Sequence, residues 1–361
     1  MHRRNFRPLV VVLLVVIATA VIIHAALLTI ARHQSRVLID ELVRRGAIFA
    51  DKDGNQVTNN RVDGVAIVDL GCLTSFTNDD LSTAVTLFPN LESIWLHGSG
   101  IDDASITILG RAQNLKGVFI SDSSVTTAGA RRLAAIGSLR ELTVFDENVD
   151  DEFLAALADC RLLEALTLRY CTATLRTLPS NWLPRLRFIH LFECPNVTPK
   201  CIARILELPE LCELRLYLLR CDLDQAFGTR HVPTLRRLEI RFCRFTDRGA
   251  AQLEMFPHLS DVTILGTSMG AQGGEHIARL PLTRLEVGEL GCDPAFLRCL
   301  RKSAGLKVLA IACEDALRPD AVAALGELTM LQTLIVHGGK KISPEVMAQL
   351  QAALPQAKIV W

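Results

Sequence analysis

The sequence lacks an excess of charge of either sign, and it contains few aromatic side chains. Its 361 residues include 39 Lys and Arg against 39 Asp and Glu, so the formal net charge is zero. A strong positive field that would attract nucleic acid is therefore missing, and no nucleic-acid partner is expected. Aromatic residues make up 5% of the chain and apolar residues 50%. Aliphatic side chains must therefore fill the core, and each aromatic position becomes informative.

The sequence also lacks the motifs of common enzymes and metal sites. It has no HExxH, GxSxG or Walker-type sequence, and its nine histidines are scattered, so no enzyme, cofactor or metal is expected. The nearest catalytic constellation, His190 with Glu193 and Cys194, is expected to be divided between two faces of a strand. The segment 51–55 (DKDGN) lacks the glycine position and glutamate of a calcium loop, which favours a plain turn. The eleven cysteines form no CxxC pair, and we interpret them as mostly free, buried thiols.

One long apolar segment lies near the N-terminus. Residues 9–31 carry no formal charge, and as a helix they are long enough to cross a hydrocarbon core of about 30 Å. We interpret 1–8 as a basic tail and 9–31 as a transmembrane helix. The alternative is a signal peptide cleaved after 18–20 (ATA), which would leave an apolar stretch exposed. The short basic tail favours an extracytoplasmic location for the rest of the chain, whereas many free thiols favour a reducing interior.

From residue 62 to the C-terminus, the sequence repeats in units that, after the first, are 23 to 25 residues long. Each unit has an aliphatic residue at position 1 and further apolar residues at positions 4 and 6. This alternation predicts one short strand in each of about 12 units. Position 1 falls at Val62, Leu91, Leu115, Leu139, Leu163, Leu186, Leu211, Leu235, Leu259, Leu282, Leu306 and Leu331, and Leu354 is expected to begin a partial last unit.

The rest of many units predicts a short outer helix. Thr126, Asp150 and Thr246 occupy expected N-cap positions and precede apolar residues at helical spacing. One strand and one helix cannot bury their shared apolar side alone, whereas stacked units can. Because helices are wider than the strand spacing, the sequence predicts a curved α/β solenoid with a parallel sheet on the concave face and short helices on the convex face. We interpret 32–61 as a linker and N-terminal cap with a short helix and a hairpin, and 62–361 as the repeat domain.

The pattern resembles the leucine-rich-repeat family, whose strand motif is LxxLxLxxN/CxL. Cys171, Cys194 and Cys243 at position 9 make it more similar to the cysteine-containing and ribonuclease-inhibitor-like branches, including membrane-anchored repeat proteins of environmental bacteria. The resemblance covers about 300 residues and implies a horseshoe-shaped solenoid. It implies little about function, because this fold serves many binding tasks.

Rings and arginines are concentrated at positions expected to face outward from the concave side of the sheet. Later units carry Thr263, Gly288 and Ala310 at equivalent positions. Aromatic residues interleaved with arginine are typical of binding hot spots, although the rings could instead cover one another as a capping layer. The candidate partner-binding residues are Trp95, His97, Phe119, Phe145, Arg169, Tyr170, Phe188, His190, Phe192, Arg215, Tyr217 and Arg241.

These features predict a membrane-anchored, non-catalytic scaffold or receptor-like module that binds a protein or peptide through its concave face. The alternative is a secreted or surface-displayed repeat protein that recognises glycans or adhesion targets. The membrane prediction depends on 9–31 and the binding prediction on the concave residues, so each can be tested without the other.

Overall fold

A computed structural model describes residues 37–57, 64–71, 73, 76–175, 182–228, 231–313, 317–338 and 343–361. In these residues fourteen strands form one sheet whose spatial order follows the sequence order. Strand β1 pairs with β2 in antiparallel orientation, and the following strands are parallel. The strands are β1 Ile48–Ala50, β2 Ile67–Asp69, β3 Ser93–His97, β4 Gly117–Ser121, β5 Glu141–Phe145, β6 Ala165–Arg169, β7 Phe188–Phe192, β8 Glu213–Tyr217, β9 Arg237–Arg241, β10 Asp261–Leu265, β11 Arg284–Val287, β12 Val308–Cys313, β13 Thr333–Gly338 and β14 Lys358–Val360.

Short helices connect most of the strands and pack against the side chains on one face of the sheet. Some units use a single 3₁₀ turn instead, as at Leu223–Gln225. The predicted α/β solenoid, with one strand and a short outer segment per unit, is therefore confirmed. The α-helices of the described residues are α1 37–44, α2 Asn78–Leu87, α3 Asp103–Leu109, α4 Thr127–Ala134, α5 Asp151–Ala156, α6 Pro199–Ile205, α7 Asp247–Gln252, α8 Ala271–Ile277, α9 Pro294–Cys299, α10 Pro319–Gly326 and α11 Pro344–Ala353.

The predicted register places aliphatic side chains in one continuous core between the sheet and the outer segments. In β3, Ile94 and Leu96 at positions 4 and 6 have no exposed surface, whereas Trp95 between them is 48% exposed. Parallel pairing aligns equal positions of successive units, as in Leu142 opposite Leu166. Burial of each such leucine contributes roughly 2 kcal/mol of hydrophobic stabilisation.

The register differs from the predicted one at both ends of the array. Strand pairing aligns β2 with β3 so that Val65, and not Val62, corresponds to Leu91, and Val65 is buried. The error arose because the antiparallel strand β1, and not another repeat, precedes the first unit, so the period fixes the register of that unit from one side only. Val62 itself lies outside the described residues. At the other end β14 aligns Ile359 with Leu334 at position 4, which excludes Leu354 from position 1.

The N-terminal end of the sheet is covered by α1 and by a hairpin that contains β1. Phe49 in β1 packs against Phe88 with ring centroids 5.1 Å apart. The Arg45 guanidinium donates two hydrogen bonds to the Asp80 carboxylate, at 2.6 and 2.8 Å, and so fixes α1 to α2. In the hairpin turn the Asp51 carboxylate accepts hydrogen bonds from nearby backbone N–H groups. This cap buries the edge that the first repeat would otherwise expose.

The predicted tail and transmembrane helix, residues 1–31, lie outside the described residues. Among the residues that the structure describes, no helix combines the length and apolar character needed to cross a membrane. At the opposite terminus Trp361 does not cover the last unit, because 62% of its surface is exposed. It follows the last strand and does not pack in the core.

The predicted N-caps at Thr126, Asp150 and Thr246 are confirmed, because each side chain accepts a backbone N–H from the first turn of its helix. The outer segments are also linked to one another. Asp103, at the start of α3, accepts hydrogen bonds from the backbone N–H of Thr126 at 2.9 Å and from its hydroxyl at 2.7 Å. Here one unit therefore helps to fix the N-cap of the next.

The cysteines are mostly free thiols, as predicted. At position 9, Cys171, Cys194 and Cys243 are buried, and Sγ of Cys171 lies 3.1 Å from Sγ of Cys194. Burial raises the pKa of the Cys243 thiol to about 11. Cys292, in contrast, is disulfide-bonded. The prediction missed it because pairing depends on which cysteines the fold brings together. The free cysteines of the described residues are Cys160, Cys171, Cys194, Cys201, Cys212, Cys221, Cys243 and Cys299.

Candidate functional site

The open sheet face consists of the side chains at positions 3, 5 and 7 of the strands, on the side opposite the helices, and was predicted to be concave. The aromatic run, as we call it, lies on the first part of this face and continues to the rim beside it; it consists of Trp95, Phe119, Phe145, Arg169 and Tyr170. Trp95 stacks on Phe119 with ring centroids 5.0 Å apart and planes at 20°. Phe119 meets Phe145 edge to face, also at 5.0 Å. The Arg169 guanidinium then lies over Phe145 at 5.6 Å and over Tyr170 at 4.6 Å.

The run follows directly from the parallel register. Position 5 of β3 lies beside position 5 of β4, so Trp95 and Phe119 must be neighbours about 4.8 Å apart. Phe119 and Phe145 are half-buried by the rings beside them, whereas Trp95 at the end of the run remains largely exposed. Arg169 is held in place by an ion pair with Glu193 at 2.7 Å. The result is an apolar surface bordered by a paired charge.

The second part of the open sheet face carries an ionic network in which acidic and basic side chains alternate between strands. Glu239 is its most buried member, with only 2% of its surface exposed. It accepts hydrogen bonds from the Tyr217 hydroxyl and from Nε of Arg241, and it lies 3.3 Å from Nε of Arg215. The network consists of His190, Glu213, Arg215, Tyr217, Arg237, Glu239, Arg241, Asp261, Arg284 and Glu286.

The network shifts the ionisation of its own members. His190 places Nε2 2.9 Å from the Glu213 carboxylate, and with Arg215 it holds the pKa of Glu213 below its ordinary value. Burial and the Glu239 carboxylate raise the pKa of Tyr217 to about 12. Asp261 has a raised pKa because burial opposes its ionisation more than the neighbouring arginines favour it. Burial and mutual ion pairs together therefore determine the ionisation of these groups.

This face carries aromatic rings, arginines and carboxylates, which form ring stacks and ion pairs with one another. His190 contacts Glu213 and Thr167, Glu193 pairs with Arg169, and Cys194 is buried on the other side of the sheet, so the constellation considered from sequence is not assembled. Within the described part of the chain, no group of three or more His, Cys, Asp or Glu side chains is arranged to hold a metal ion.

Comparison with known proteins gives matches at the level of structure. No protein-family model and no curated protein sequence matches the chain. The structure of the TLR13–ssRNA13 complex matches with a TM-score of 0.51 at 16% identity, over 77% of this chain and 43% of that one. This similarity, together with the register of parallel strands, decides the fold. The chain has the leucine-rich-repeat fold.

Two further leucine-rich-repeat structures are similar over most of the chain. An internalin from Listeria monocytogenes matches with a TM-score of 0.45 and 17% identity, over 85% of this chain and 89% of that one. The plant peptide hormone receptor RGFR1 in complex with RGF2 matches with a TM-score of 0.39 and 15% identity, over 77% of this chain and 44% of that one. At such identities the likeness concerns the fold alone.

The leucine-rich-repeat sheet brings ten of the twelve predicted residues into two groups. Five form the aromatic run. His190, Arg215, Tyr217 and Arg241 belong to the ionic network, which Phe192 borders by packing on Tyr217 at 4.5 Å. The other two lie apart: His97 places Nδ1 2.6 Å from the Ser121 hydroxyl, and Phe188 lies under the Arg187 guanidinium at 5.5 Å.

Two features of this leucine-rich-repeat face differ from the prediction. Tyr170 follows its strand with φ of +60°, so it stands at the rim of the sheet and not within the open sheet face. The prediction missed four acidic residues that contact all three predicted arginines, namely Glu193, Glu213, Glu239 and Glu286. A signal was present, since bases and acids occupy the same positions in successive units and parallel pairing brings equal positions together.

Proposed function

We propose that this leucine-rich-repeat chain is a non-catalytic binding scaffold that presents the aromatic run to a protein or peptide. The exposure of Trp95 is the observation that carries the proposal. The core is complete without this ring, yet 48% of its surface faces solvent while it stacks on Phe119. Large exposed aromatics beside arginine are the residues on which binding energy most often depends.

The aromatic run supports binding better than the ionic network does. Arg215, Arg241 and Tyr217 already contact Glu239, and a partner would have to replace those contacts before gaining any of its own. The rings of the aromatic run offer apolar surface with no such cost. We therefore place the main contact on β3 to β6.

Removal of one exposed ring tests this proposal. Full chain carrying Trp95→Ala should recover its partner from native membranes at least about tenfold less than wild type, the loss typical of a hot-spot residue. The readout is quantitative mass spectrometry of crosslinked captures. Trp361→Ala is the matched control, because Trp361 is a still more exposed ring outside the open sheet face. Equal capture by Trp95→Ala and wild type would refute the assigned contact.

A glycan-binding or adhesion role is the second candidate, because exposed rings also stack on sugars. It predicts that the full chain selects glycans on an array through Trp95 and shows no protein capture that depends on this residue. That outcome would mean that the aromatic run binds glycans and not a protein or peptide.

We also propose that 9–31 anchors the scaffold as a transmembrane helix with the repeats on the extracytoplasmic side. Support comes from its 23 uncharged residues behind a short basic tail and from the disulfide at Cys292, since disulfides persist in oxidising compartments. The free position 9 thiols are compatible with that location because they are buried. The chain should stay in membranes during alkaline carbonate washing, and protease added to intact cells should digest the repeats. Release by carbonate or full protection would contradict this.

A further inference from the structure

The rim of the sheet, formed by the position 8 residue that follows each strand, has an unusual backbone. Seven rim residues adopt the left-handed conformation, with φ between +50° and +121°. Glycine adopts it freely, whereas a bulky L residue loses about 1 to 2 kcal/mol there. Three of the seven are nevertheless large and apolar. The seven are Gly98, Asp122, Tyr170, Glu193, Leu218, Phe242 and Gly266.

The three large rim residues are also exposed. Tyr170 is 40%, Leu218 46% and Phe242 58% accessible to solvent. Two other units have glycine at the same position, Gly98 and Gly266. Glycine in place of the three large residues would remove the backbone strain and the exposed apolar surface. Neither backbone preference nor core packing accounts for the three residues. Strained positions of this kind are concentrated at binding sites, where the surrounding structure holds them in place.

The three side chains line one cavity of about 690 Å³, which we call the rim pocket. Its walls also include Glu147, Glu193, Thr172 and Arg220 among the described residues. The volume lies within the range of about 300 to 1,000 Å³ usual for ligand sites. The rim pocket is therefore large enough to hold several side chains of a partner.

Neighbouring groups hold both rings of the rim pocket in place. The Phe242 ring lies against Gly266 of the next unit so closely that a Cβ on that glycine would collide with ring carbons. The Tyr170 ring lies under the Arg169 guanidinium at 4.6 Å, and Glu193 holds that guanidinium at 2.7 Å. The pocket is thus preorganised, which lowers the entropy that binding must cost.

We propose that the rim pocket binds an extended peptide segment of about four residues, with apolar side chains on Leu218 and Phe242 and a basic side chain near Glu147. From Tyr170 to Phe242 the rim crosses three strand intervals of about 4.8 Å, which an extended chain at about 3.4 Å per residue spans with four residues. Glu147 is exposed at the Tyr170 end, and no ion pair with it occurs among the described residues. Its charge complements a basic side chain.

The shape of the pocket favours a peptide over a sugar. Leu218, at the centre of the apolar wall, offers no flat ring for stacking. One face of Tyr170 is covered by Arg169. A row of apolar side chains with a carboxylate at one end instead matches the alternate side chains of an extended peptide. The rim pocket lies outside the aromatic run except for Tyr170, so this binding does not depend on the function proposed above.

Selection from a phage-displayed hexapeptide library on the purified full chain tests the proposal. Enriched peptides should combine a Lys or Arg with two aliphatic or aromatic residues. Phe242→Asn and Leu218→Asn should each weaken binding of a synthetic enriched peptide at least about tenfold in calorimetry. Their melting temperatures should stay equal or rise, because Asn tolerates the left-handed conformation better than Phe or Leu. Glu147→Gln should weaken binding by a smaller factor and reduce its dependence on salt.

Two controls separate the possible outcomes. Met255→Asn removes an exposed apolar side chain elsewhere and should leave peptide affinity unchanged. Trp95→Ala should also leave it unchanged, so that failure of the aromatic run and failure of the rim pocket are distinguishable. The proposal is overturned if no peptide is enriched, if Phe242→Asn binds the peptide as wild type does, or if the rim selects glycans instead. A large fall in melting temperature for Phe242→Asn would assign the ring to folding and overturn it as well.

Discussion

The aromatic run and the ionic network lie on the same face of one sheet and share residue types, yet their side chains are satisfied in different ways. In the run, one arginine pairs with Glu193 and Trp95 is left largely exposed. In the network, Arg215 and Arg241 converge on Glu239, which is 2% exposed. Rings and arginines alone therefore do not identify a binding surface. The acidic residues at neighbouring positions decide how many of these groups are already paired within the sheet.

Glu239→Gln should have the largest effect on folding. It leaves the Arg215 and Arg241 guanidinium groups and the Tyr217 hydroxyl partly buried without their common carboxylate. The free energy of unfolding should fall by about 3 kcal/mol, the usual cost of breaking a buried ion pair from one side. Urea denaturation followed by circular dichroism measures it. An effect below about 0.5 kcal/mol would show that the network is no more stabilising than a surface pair.

Glu164→Gln provides the matched control for that measurement. Glu164 pairs with Arg140 at 2.7 Å, but both side chains are at least one third exposed. Exposed pairs contribute about 0 to 1 kcal/mol, so this variant should unfold close to wild type. The difference between the two losses in unfolding free energy measures how much burial of the carboxylate increases the cost of replacing Glu by Gln.

Glu213→Gln should have an intermediate effect that depends on pH. Because the pKa of Glu213 is lowered by His190 and Arg215, its stabilisation is present above its unfolded pKa and is lost as pH falls through its folded pKa. At pH 7 the variant should be less stable by about 2 kcal/mol. The gap between wild type and variant should narrow as pH falls below about 4.5. Urea denaturation at several pH values measures the gap, and a constant gap would contradict the assigned ionisation.

Asp261→Asn is a control for which we expect the opposite dependence of stability on pH. Burial raises the pKa of Asp261, so lowering the pH stabilises wild type relative to this variant. The two variants should therefore diverge in their pH profiles although both remove a carboxylate from the same network. Parallel profiles would show that general acid destabilisation, and not these two groups, dominates.

The Trp95→Ala variant proposed for partner capture should lose less folding stability than Glu239→Gln and Glu213→Gln. Its ring is half-exposed, and the stack on Phe119 contributes about 1 kcal/mol. A thermal melt of the same sample used for capture measures this. A loss above about 3 kcal/mol would place Trp95 in the structural core and remove the contrast with the ionic network.

Most of the fold could be predicted from the sequence because apolar residues recur with a fixed period. Each unit must bury the same positions in the common core, and this requirement maintains the period. Leu142, Leu166 and Leu238 are buried at position 4 as expected. The first unit was misplaced by three residues, with position 1 at Val62 and not Val65, because the antiparallel cap strand before it does not follow the period of the repeats.

The candidate site was less predictable than the fold. Residue types at positions 3, 5 and 7 correctly indicated which side chains leave the core, as Trp95 and Arg169 show. The partners of these side chains depend on lateral neighbours in the next unit, and Glu239 shows that one such neighbour can engage several groups. The left-handed backbone at Leu218 and Phe242 was unpredictable because these residues disfavour it, and only Gly98 and Gly266 at the same position gave a hint.

The two ends of the sheet also differ. At the first edge β1 runs against the direction of the other strands, and Phe49 seals it onto Phe88. At the last edge β14 is three residues long and is followed by the exposed Trp361. A parallel repeat can be appended only where a parallel edge is open. The antiparallel β1 excludes such an addition at the first edge, so the cap fixes β2 as the first parallel strand of the described array.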